Sequence, residues 1–415
     1  MKYLVSDNRT GCRENMALMR KVKTIFTGLV LILFIHLIVF SFFSPNSKHI
    51  QLNDEDLESS LFHSTHMDMS KGLDTYRSKD IKTPLLLLFT TFKETSLRSS
   101  INNNTIEYWS LLRPWVQPLL FVENNYPNNS LAKHAKERGW LVYRAPTLRK
   151  GIPILRDMFL RAEQLVKPTT KYIAYANSDI LFKMDLVETL LMLSVEPESS
   201  AIQKLNKSIL IIGTRKRFLL DDLIKTNAPI NHKYSLNNLD ASPVTRSDPK
   251  AVDYFITLRN QFPWERVPDF VVGKPGYDNW LPTKCWDWDI ASIDVSLTVT
   301  ALHQVVEKCN PEGGWASADV CMNRDLVDPF DFSRGRTVCT EFYTKKKYST
   351  NRVGSYNNSV ATLQLRTRNK DYYIRNECIK PDSLTFGQRF KGFFSFKHKP
   401  LTCQQTAKYK RTHEC

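Results

Sequence analysis

The sequence predicts an α/β domain with a mainly parallel sheet flanked by helices. Between residues 84 and 176, short apolar runs alternate with segments whose apolar residues recur at helical spacing. The clearest helical segment is 152–166, IPILRDMFLRAEQLV, whose apolar residues form one stripe. Strands that alternate with helices along a chain favour parallel pairing, because a helix makes the crossover between consecutive strands.

Each predicted element follows from its own pattern. The apolar runs predict strands at 84–92, 116–124, 140–146 and 171–176. Helical spacing predicts helices at 101–115, 130–139 and 152–166, the second with Ser130 as its cap and Gly139 as its stop. Further along the chain we expect a strand at 208–218, a long loop at 225–250 and a strand or short helix at 252–258.

The first 82 residues have the pattern of a membrane anchor and a stem. Residues 24–43 contain no Asp, Glu, Lys or Arg, and a helix of about 20 such residues matches the roughly 30 Å hydrocarbon core. Basic residues dominate 1–23, which predicts a cytoplasmic tail and a single-pass type II protein. A cleaved signal peptide is the competing interpretation, but its apolar region would span only about 7–15 residues. Residues 44–82 are polar and predict a flexible stem.

Cysteines and sequons fit a lumenal domain. Of the 8 cysteines, only Cys12 would be cytoplasmic, and disulfides persist in the lumen. The odd lumenal number leaves one thiol free or paired between chains, which permits a disulfide-linked homodimer. Zinc is the alternative use, although no CxxC pair occurs. We expect a Cys-rich lumenal extension at 305–415, and glycosylation sequons occur at Asn103, Asn128, Asn206 and Asn357.

The chain is strongly basic, with a formal net charge of +16. Such a charge suits nucleic acid, anionic lipid or an anionic substrate. The predicted lumenal topology argues against nucleic acid. Because Lys and Arg are scattered along the chain, a solvated basic surface and a specific anionic partner both stay open.

A carboxylate follows one of the predicted buried strands abruptly. In KYIAYANSDILF, residues 171–182, the apolar run ends at Ala176 and Asn177-Ser178-Asp179 follows. Ligands of open α/β sheets bind beyond the carboxyl ends of the strands. An Asp at such a position also caps turns. The pattern alone therefore leaves Asp179 open between a ligand site and a structural turn.

These residues are similar to a known family. The strand followed by NSDILF resembles the acidic metal-binding motif, D-x-D, of nucleotide-sugar glycosyltransferases of the GT-A fold. VDYFITL, VVGKPGYDNWL and IDVSLTVTALHQ resemble, in the same order, blocks of a family of glycosyltransferase-like proteins. The resemblance covers 84–304 and departs from the family at two points. Asn177 occupies the first position of the triplet, and VVEKCN follows HQ where related proteins continue with histidine and an aromatic residue.

The resemblance implies a GT-A (Rossmann-like) catalytic domain at 83–304 in the lumen of the Golgi. Its reaction would transfer a sugar from a nucleotide-diphosphate donor to a glycan or glycoprotein acceptor. Asp179 and His303 would hold a divalent ion, Mn²⁺ rather than Mg²⁺, and this ion would stabilise the charge of the diphosphate. For His303 a buried core histidine is the alternative. The implied contacts to the nucleotide sugar are Thr90, Thr91, Asn177, Ser178, Asp179 and Asp253. For Asp253 a structural cap is the alternative.

The GYDNW segment supplies the remaining candidates. Asp278 is the candidate base that removes the acceptor proton, and Asn279 and Trp280 are candidate acceptor contacts. A structural turn beside a core tryptophan is the alternative. Arg215 and Arg217 suit either phosphate or a solvated loop. A degenerate, membrane-anchored carbohydrate-binding or scaffold protein is the alternative to an enzyme, because Asn177 is a poorer metal ligand than Asp.

Overall fold

The computed structural model describes the folded domain and not the chain before it. The described residues are 83–93, 95, 98–123, 129–194, 205–219, 245–246, 248–305, 319–328, 332, 334–353, 356–369, 373 and 378. The predicted tail, anchor and stem (1–82) and most of the loop at 225–250 lie outside these residues. Within them, no helix is long and apolar enough to cross a membrane.

Helices and strands alternate through the first half of the described chain. The helices are α1 (Ser99–Ser110), α2 (Ser130–Glu137), α3 (Leu155–Leu165), α4 (Asp185–Ser194) and α5 (Tyr277–Asp287). The strands are β1 (Leu86–Thr91), β2 (Val116–Val122), β3 (Leu141–Arg144), β4 (Leu148–Arg149), β5 (Ile152–Pro153), β6 (Tyr172–Ala176), β7 (Ile180–Phe182), β8 (Ile209–Leu219), β9 (Thr245–Arg246), β10 (Val252–Leu258), β11 (Ala291–Asp294), β12 (Ala301–Val305), β13 (Phe342–Val353) and β14 (Tyr356–Thr367).

The sheet is mixed and mainly parallel, as predicted. Its order is β14-β13-β11-β8-β10-β6-β1-β2-β3. The strands β3, β2, β1 and β6 are parallel to one another, and β10 lies antiparallel between β6 and β8. The long strand β8 pairs with β11 over Ile209–Ile212 and with β12 from Arg215 onward. In turn, β12 pairs antiparallel with β7, which brings β12 beside the turn after β6.

The sheet has an apolar core on each face. Along β1, Leu86 and Leu88 pack in one buried cluster, while Leu87 and Phe89 pack in the other. Side chains alternate between faces along a strand, so a strand covered on both sides is a continuous apolar run. This explains why LLLLF at 85–89 contains no polar residue.

Helix ends differ slightly from the prediction. The cap of α2 is Asn129 and not Ser130, because the Asn129 side chain accepts a hydrogen bond of 2.7 Å from the Ala132 amide. The predicted helix at 101–115 ends at Ser110, shortly before Pro114, which disfavours helical geometry in the residue before it. Gly139 has φ of +80°, as expected just after a helix.

Residues after 304 contribute to the main sheet. Strand β13 pairs with β11, and β14 completes an antiparallel hairpin with β13. A buried ion pair holds the end of this hairpin to the sheet, since Arg368 Nη2 lies 2.8 Å from Asp294 Oδ2. The predicted boundary at 304 stays a prediction, but these strands extend the same sheet.

The Arg368–Asp294 pair gives a stability prediction. Replacing Arg368 with methionine leaves a buried carboxylate unpaired, so we expect the free energy of unfolding to fall by about 3–5 kcal/mol in urea denaturation. Lys207→Met is the control, because its partner Asp289 is 82% exposed and surface pairs contribute at most about 1 kcal/mol. Equal losses in the two variants would contradict this role for the Arg368 pair.

The structure shows which of the described cysteines are disulfide-bonded and which is a free thiol. Cys339 and Cys378 form a disulfide, and Cys321 is also disulfide-bonded. Cys285 is a free thiol that is 1% exposed, and burial raises its pKa. A disulfide-linked dimer, if it forms, therefore needs a different cysteine. The described residues contain no cluster of three or more His, Cys, Asp or Glu that would hold zinc.

Two of the predicted sequons have very different surroundings. Asn103 lies in α1, where its Oδ1 is hydrogen-bonded to His134 at 3.1 Å, and the hydroxyl of its sequon partner Thr105 is buried. Asn206 is exposed in the left-handed region, with φ of +46°. Asn128 lies outside the described residues, and Asn357 lies in β14.

This contrast predicts unequal glycosylation. In the protein expressed through the secretory pathway, Asn206→Gln is expected to remove one endoglycosidase-sensitive mobility shift on a denaturing gel. Asn103→Gln is expected to leave the mobility unchanged, because a glycan at Asn103 is incompatible with its half-buried, hydrogen-bonded side chain. Loss of a glycan in Asn103→Gln would show that this face of α1 is open during folding.

Candidate active site

The triplet after β6 is held rigidly at the carboxyl end of the strand. The Ile180 amide donates to the Asn177 carbonyl at 3.1 Å, which closes a turn between β6 and β7. Helix α1 packs over this turn, where Thr105 Oγ1 donates to the Ser178 carbonyl at 2.6 Å. The backbone N–H of Gln304 donates to the backbone carbonyl of Asp179 at 2.9 Å. The triplet therefore has fixed backbone on both sides.

Strand pairing brings the two predicted metal ligands together. Because β12 is antiparallel to β7 with His303 opposite Ile180, His303 Nε2 lies 3.3 Å from Asp179 Oδ2. Asp179 is 6% exposed. Burial alone would raise the pKa of its carboxyl, but His303 and then Arg98 lower that pKa well below the usual range. The surroundings of Asp179 therefore favour its ionised form at the edge of the sheet.

Two arginines flank this anion. Arg98, immediately before α1, places Nη1 3.3 Å from the same Oδ2 of Asp179. Arg215 Nε lies 2.9 Å from Asp253 Oδ2, whereas Arg217 is exposed. Sequence reasoning missed Arg98, since no pattern around TSLRSS distinguishes it. The structure thus favours a site role for Arg215 and a solvated position for Arg217.

Asp253 is a strand residue and not a cap. It lies in β10, opposite the end of β6, and is 9% exposed. Burial raises the pKa of its carboxyl, and the charges of Arg215 and His303 partly offset that effect. Its Oδ1 accepts a hydrogen bond of 2.8 Å from Asn177 Nδ2.

Both the oxygen and the nitrogen of the Asn177 side-chain amide make hydrogen bonds. Its Oδ1 accepts hydrogen bonds from the hydroxyls of Tyr175, at 2.9 Å, and Tyr277, at 3.1 Å. With Nδ2 donating to Asp253, the side chain joins β6, β10 and α5. The structure therefore does not place Asn177 as a metal ligand, and sequence reasoning missed both tyrosines.

Asp278 lies in the first turn of α5. Its Oδ1 accepts hydrogen bonds from the backbone N–H groups of Gly276 and Asn279, both at 3.0 Å. Desolvation and, less strongly, the charge of Asp253 raise the pKa of Asp278 to about 6, against the opposing effect of these hydrogen bonds. Gly276 has φ of +134°, so the turn that presents Asp278 requires glycine. A carboxyl with this pKa suits proton transfer near neutral pH.

Asn279 and Trp280, the two candidate acceptor contacts, make interactions that hold the fold together. Asn279 Nδ2 donates to the carbonyls of Lys250, at 3.0 Å, and Gly335, at 2.6 Å. Trp280 is 3% exposed and packs edge to face against Phe270 and Trp288. These are the positions of core and loop-anchoring side chains. An acceptor-binding role for Asn279 and Trp280 stays a prediction.

The remaining candidates lie along the same edge. Thr90 and Thr91 end β1, which neighbours β6 in the sheet. Thr90 is fully buried and Thr91 is half-buried. Ser178 is 9% exposed. Ser178 directly precedes Asp179 in the turn, and Thr90 and Thr91 end a strand that pairs with β6. The nucleotide-sugar contacts of these residues stay predictions.

No protein family model matches the chain, and no curated protein matches it. Solved structures of low similarity do. One is a putative nucleotide-diphospho-sugar transferase from Desulfovibrio desulfuricans G20, with 10% identity and a TM-score of 0.25, covering 44% of this chain and 68% of that chain. Another is mannosyl-3-phosphoglycerate synthase from Rubrobacter xylanophilus, with 10% identity and a TM-score of 0.29, covering 73% and 91%.

A further match is glucosyl-3-phosphoglycerate synthase from Mycobacterium tuberculosis in complex with Mn²⁺, UDP and glucosyl-3-phosphoglycerate. It has 12% identity and a TM-score of 0.31, and covers 72% of this chain and 96% of that chain. Matches with identity and TM-score this low carry no argument about the chemistry of this chain. The case for function therefore rests on the residues of its own site.

The residues present fit a divalent ion. Among the described residues Asp179 Oδ1 has no hydrogen-bond partner although it is buried, and an uncompensated carboxylate oxygen suits a cation. His303 adds an imidazole nitrogen, which transition metals such as Mn²⁺ accept and Mg²⁺ does not favour. No third His, Cys, Asp or Glu completes the set in the described part of the chain. Ligand oxygens and water would have to supply the other positions.

Proposed function

We propose that this protein is a metal-dependent glycosyltransferase that moves a sugar from a nucleotide-diphosphate donor to a glycan or glycoprotein. The observation that carries the proposal is the convergence of Asp179 and His303, distant in sequence, at the carboxyl edge of the sheet. Arg98 and Arg215 add positive charge at the same edge. A carboxylate, an imidazole and two guanidinium groups together suit a metal-bound diphosphate.

Each side chain has a distinct task in this proposal. A divalent ion held by Asp179 and His303 would neutralise the diphosphate as its charge grows. Arg98 and Arg215 turn from their carboxylate partners toward phosphate oxygens. Guanidinium groups bind phosphate oxygens with paired hydrogen bonds, so they hold the leaving group in one orientation.

Asp278 takes the acceptor proton in an inverting course of the reaction. The acceptor oxygen forms a bond to the anomeric carbon as its proton moves to the Asp278 carboxylate. The bond from that carbon to the diphosphate oxygen breaks, and the nucleoside diphosphate leaves with the electron pair. The pKa of about 6 keeps Asp278 ionised above neutral pH and able to accept the proton.

The proposed setting is the Golgi membrane. The uncharged run at 24–43, with basic residues before it, supports a type II anchor with the catalytic domain in the lumen. The sequons and the disulfides of Cys339 and Cys321 are compatible with that compartment.

A degenerate, carbohydrate-binding or scaffold protein is the second candidate. Asn177 favours it, because its amide is bound to two tyrosines and Asp253 instead of facing a metal. The site then keeps one carboxylate where the D-x-D motif has two. Such a protein would bind a nucleotide or glycan without turnover.

Calorimetry with the purified full-length chain in detergent separates these functions. UDP- and GDP-sugars are titrated with and without Mn²⁺, and each binder is then assayed for sugar transfer and hydrolysis. A cognate donor at about 100 times its Kd should also stabilise the fold by about 2.7 kcal/mol. Binding with turnover supports the transferase, and binding without turnover supports the scaffold. An absence of binding to every donor refutes both nucleotide-based functions.

A further inference from the structure

The hydrogen-bond partners around Asn177, the first residue of the triplet, require an amide side chain at that position. Asp253, paired with the Arg215 guanidinium at 2.9 Å, presents acceptor oxygens to Asn177. Burial raises the pKa of the Tyr175 and Tyr277 hydroxyls, so both stay protonated and donate to Asn177 Oδ1. The side chain at 177 must therefore donate in one direction and accept twice in the other.

Aspartate does not satisfy this pattern. An ionised carboxylate at 177 would accept from both tyrosines but would face the Asp253 carboxylate where Asn177 Nδ2 now stands, 2.8 Å from Asp253 Oδ1. Asp179 adds a further negative charge close by, and Arg98, Arg215 and His303 are the basic groups that face these carboxylates. Like charges this close in a buried site are strongly unfavourable.

The three elements joined at Asn177 carry the candidate active-site residues. Strand β6 leads into Asp179, β10 carries Asp253, and α5 begins with Tyr277 and Asp278. Tyr175 is 2% exposed and Tyr277 is 3% exposed, so their hydroxyls are fixed inside the domain. The rings also meet edge to face, with centroids 6.2 Å apart.

We propose that Asn177 is a positioning residue that requires an amide, and that it is not a metal ligand. It holds the Asp179 turn against β10 and against the helix that presents Asp278. This inference rests on the proposed function only for its effect on metal and nucleotide binding. It follows that restoring the D-x-D triplet in this protein weakens the site instead of completing it.

The test compares Asn177→Asp with the swapped double variant Asn177→Asp/Asp253→Asn, both in the full-length chain. In the double variant, the amide at 253 donates to the carboxylate at 177 and keeps an oxygen facing Arg215, so the hydrogen bonds of the side chain at 177 return with the same net charge. Asn129→Asp is the control, because the same substitution at a helix N-cap is well tolerated.

The measurements are Tm and the affinity for Mn²⁺ with UDP or GDP, taken well below each Tm. Asn177→Asp is expected to lower Tm by about 6–10 °C and to weaken Mn²⁺·nucleotide binding by about 10–100-fold. The double variant is expected to recover most of both losses, and Asn129→Asp to lose neither. Tighter Mn²⁺ binding in Asn177→Asp, an unchanged Tm in that variant, or no recovery in the double variant would overturn the proposal.

The two proposals fail in different ways. If the wild type binds neither Mn²⁺ nor nucleotide, the proposed function is refuted. Recovery of Tm by the double variant would in that case still establish the amide requirement at 177, because Tm is measured without ligand.

Discussion

Replacing Asp179 with asparagine is expected to weaken binding of Mn²⁺ with a nucleoside diphosphate by at least about 100-fold and to abolish sugar transfer. The substitution keeps the size of the side chain but removes the buried anion that faces His303 and Arg98 at 3.3 Å each. The remaining amide is a poor ligand for a hard cation. The Arg98 guanidinium would then lie beside the place of the metal without the carboxylate that balances its charge, and it would repel the ion.

Controls separate this effect from unfolding. Asp319→Asn changes a carboxylate that is 52% exposed and 3.8 Å from Lys150, so it should leave both Tm and binding unchanged. Binding is measured by calorimetry at a temperature where circular dichroism shows Asp179→Asn to be folded. Wild-type affinity in folded Asp179→Asn would exclude Asp179 from the metal site.

Replacing Asp278 with asparagine is expected to lower kcat by about 10²–10⁴-fold without weakening donor binding. Asparagine keeps an Oδ1 acceptor for the amides of Gly276 and Asn279 but cannot take a proton. The wild-type rate should rise with pH through about 6, because only the ionised carboxylate acts as a base. That ascending limb should be absent from the pH profile of the residual activity in Asp278→Asn.

The raised pKa of Asp278 also predicts how the stability of Asp278→Asn, relative to wild type, depends on pH. The folded pKa of about 6 lies above the ordinary value of 3.8, so the native state holds a proton that the unfolded state releases between those values. Stability therefore falls as pH rises from about 4 to 6, and the loss persists at higher pH. After discounting for partial exposure, Asp278→Asn should be more stable than wild type by about 1–2 kcal/mol at pH 8. It should show no such gain near pH 4. A loss of stability at pH 8 would assign Asp278 a structural role.

Local patterns predicted the first half of the fold well. The alternation over 84–176 identified β1, β2, β3, β6 and the three helices among them, because apolar period is a property of each segment alone. The short strands β4 and β5 were not predicted, and β5 occupies Ile152–Pro153, where the helix was expected to begin. The stripe of α3 is confirmed, with Leu155, Met158, Phe159 and Ala162 buried. The place of Asp179 at the carboxyl end of a strand followed from the same alternation.

Pairing between distant segments was not predictable from such patterns. The antiparallel insertion of β10 between β6 and β8 places Asp253 beside Asn177, and no local period encodes strand direction. Helix α5 was not predicted at 277–287, where the sequence mixes polar, aromatic and proline residues. The addition of β13 and β14 to the sheet was missed for the same reason.

The site shows the same division between local and distant information. Asp179 and Asp278 stand in recognisable segments, whereas Arg98 joins the site only because α1 packs over the turn after β6. Thr105 and Trp109 make that contact through hydrogen bonds to the carbonyls of Ser178 and Ile180. The role of Asn177 depends on hydroxyls from two separate elements, and a sequence shows neither their direction nor their partners.

Electron spin echo envelope modulation of bound Mn²⁺ tests the central claim most directly. In the proposed site, Asp179 and His303 hold a divalent ion together with a nucleoside diphosphate. The wild-type complex with Mn²⁺ and the nucleotide that binds in calorimetry should show nitrogen modulation from one imidazole, and His303→Gln should lose it. Bound Mn²⁺ without imidazole modulation in the wild type, or with unchanged modulation in His303→Gln, would contradict the account.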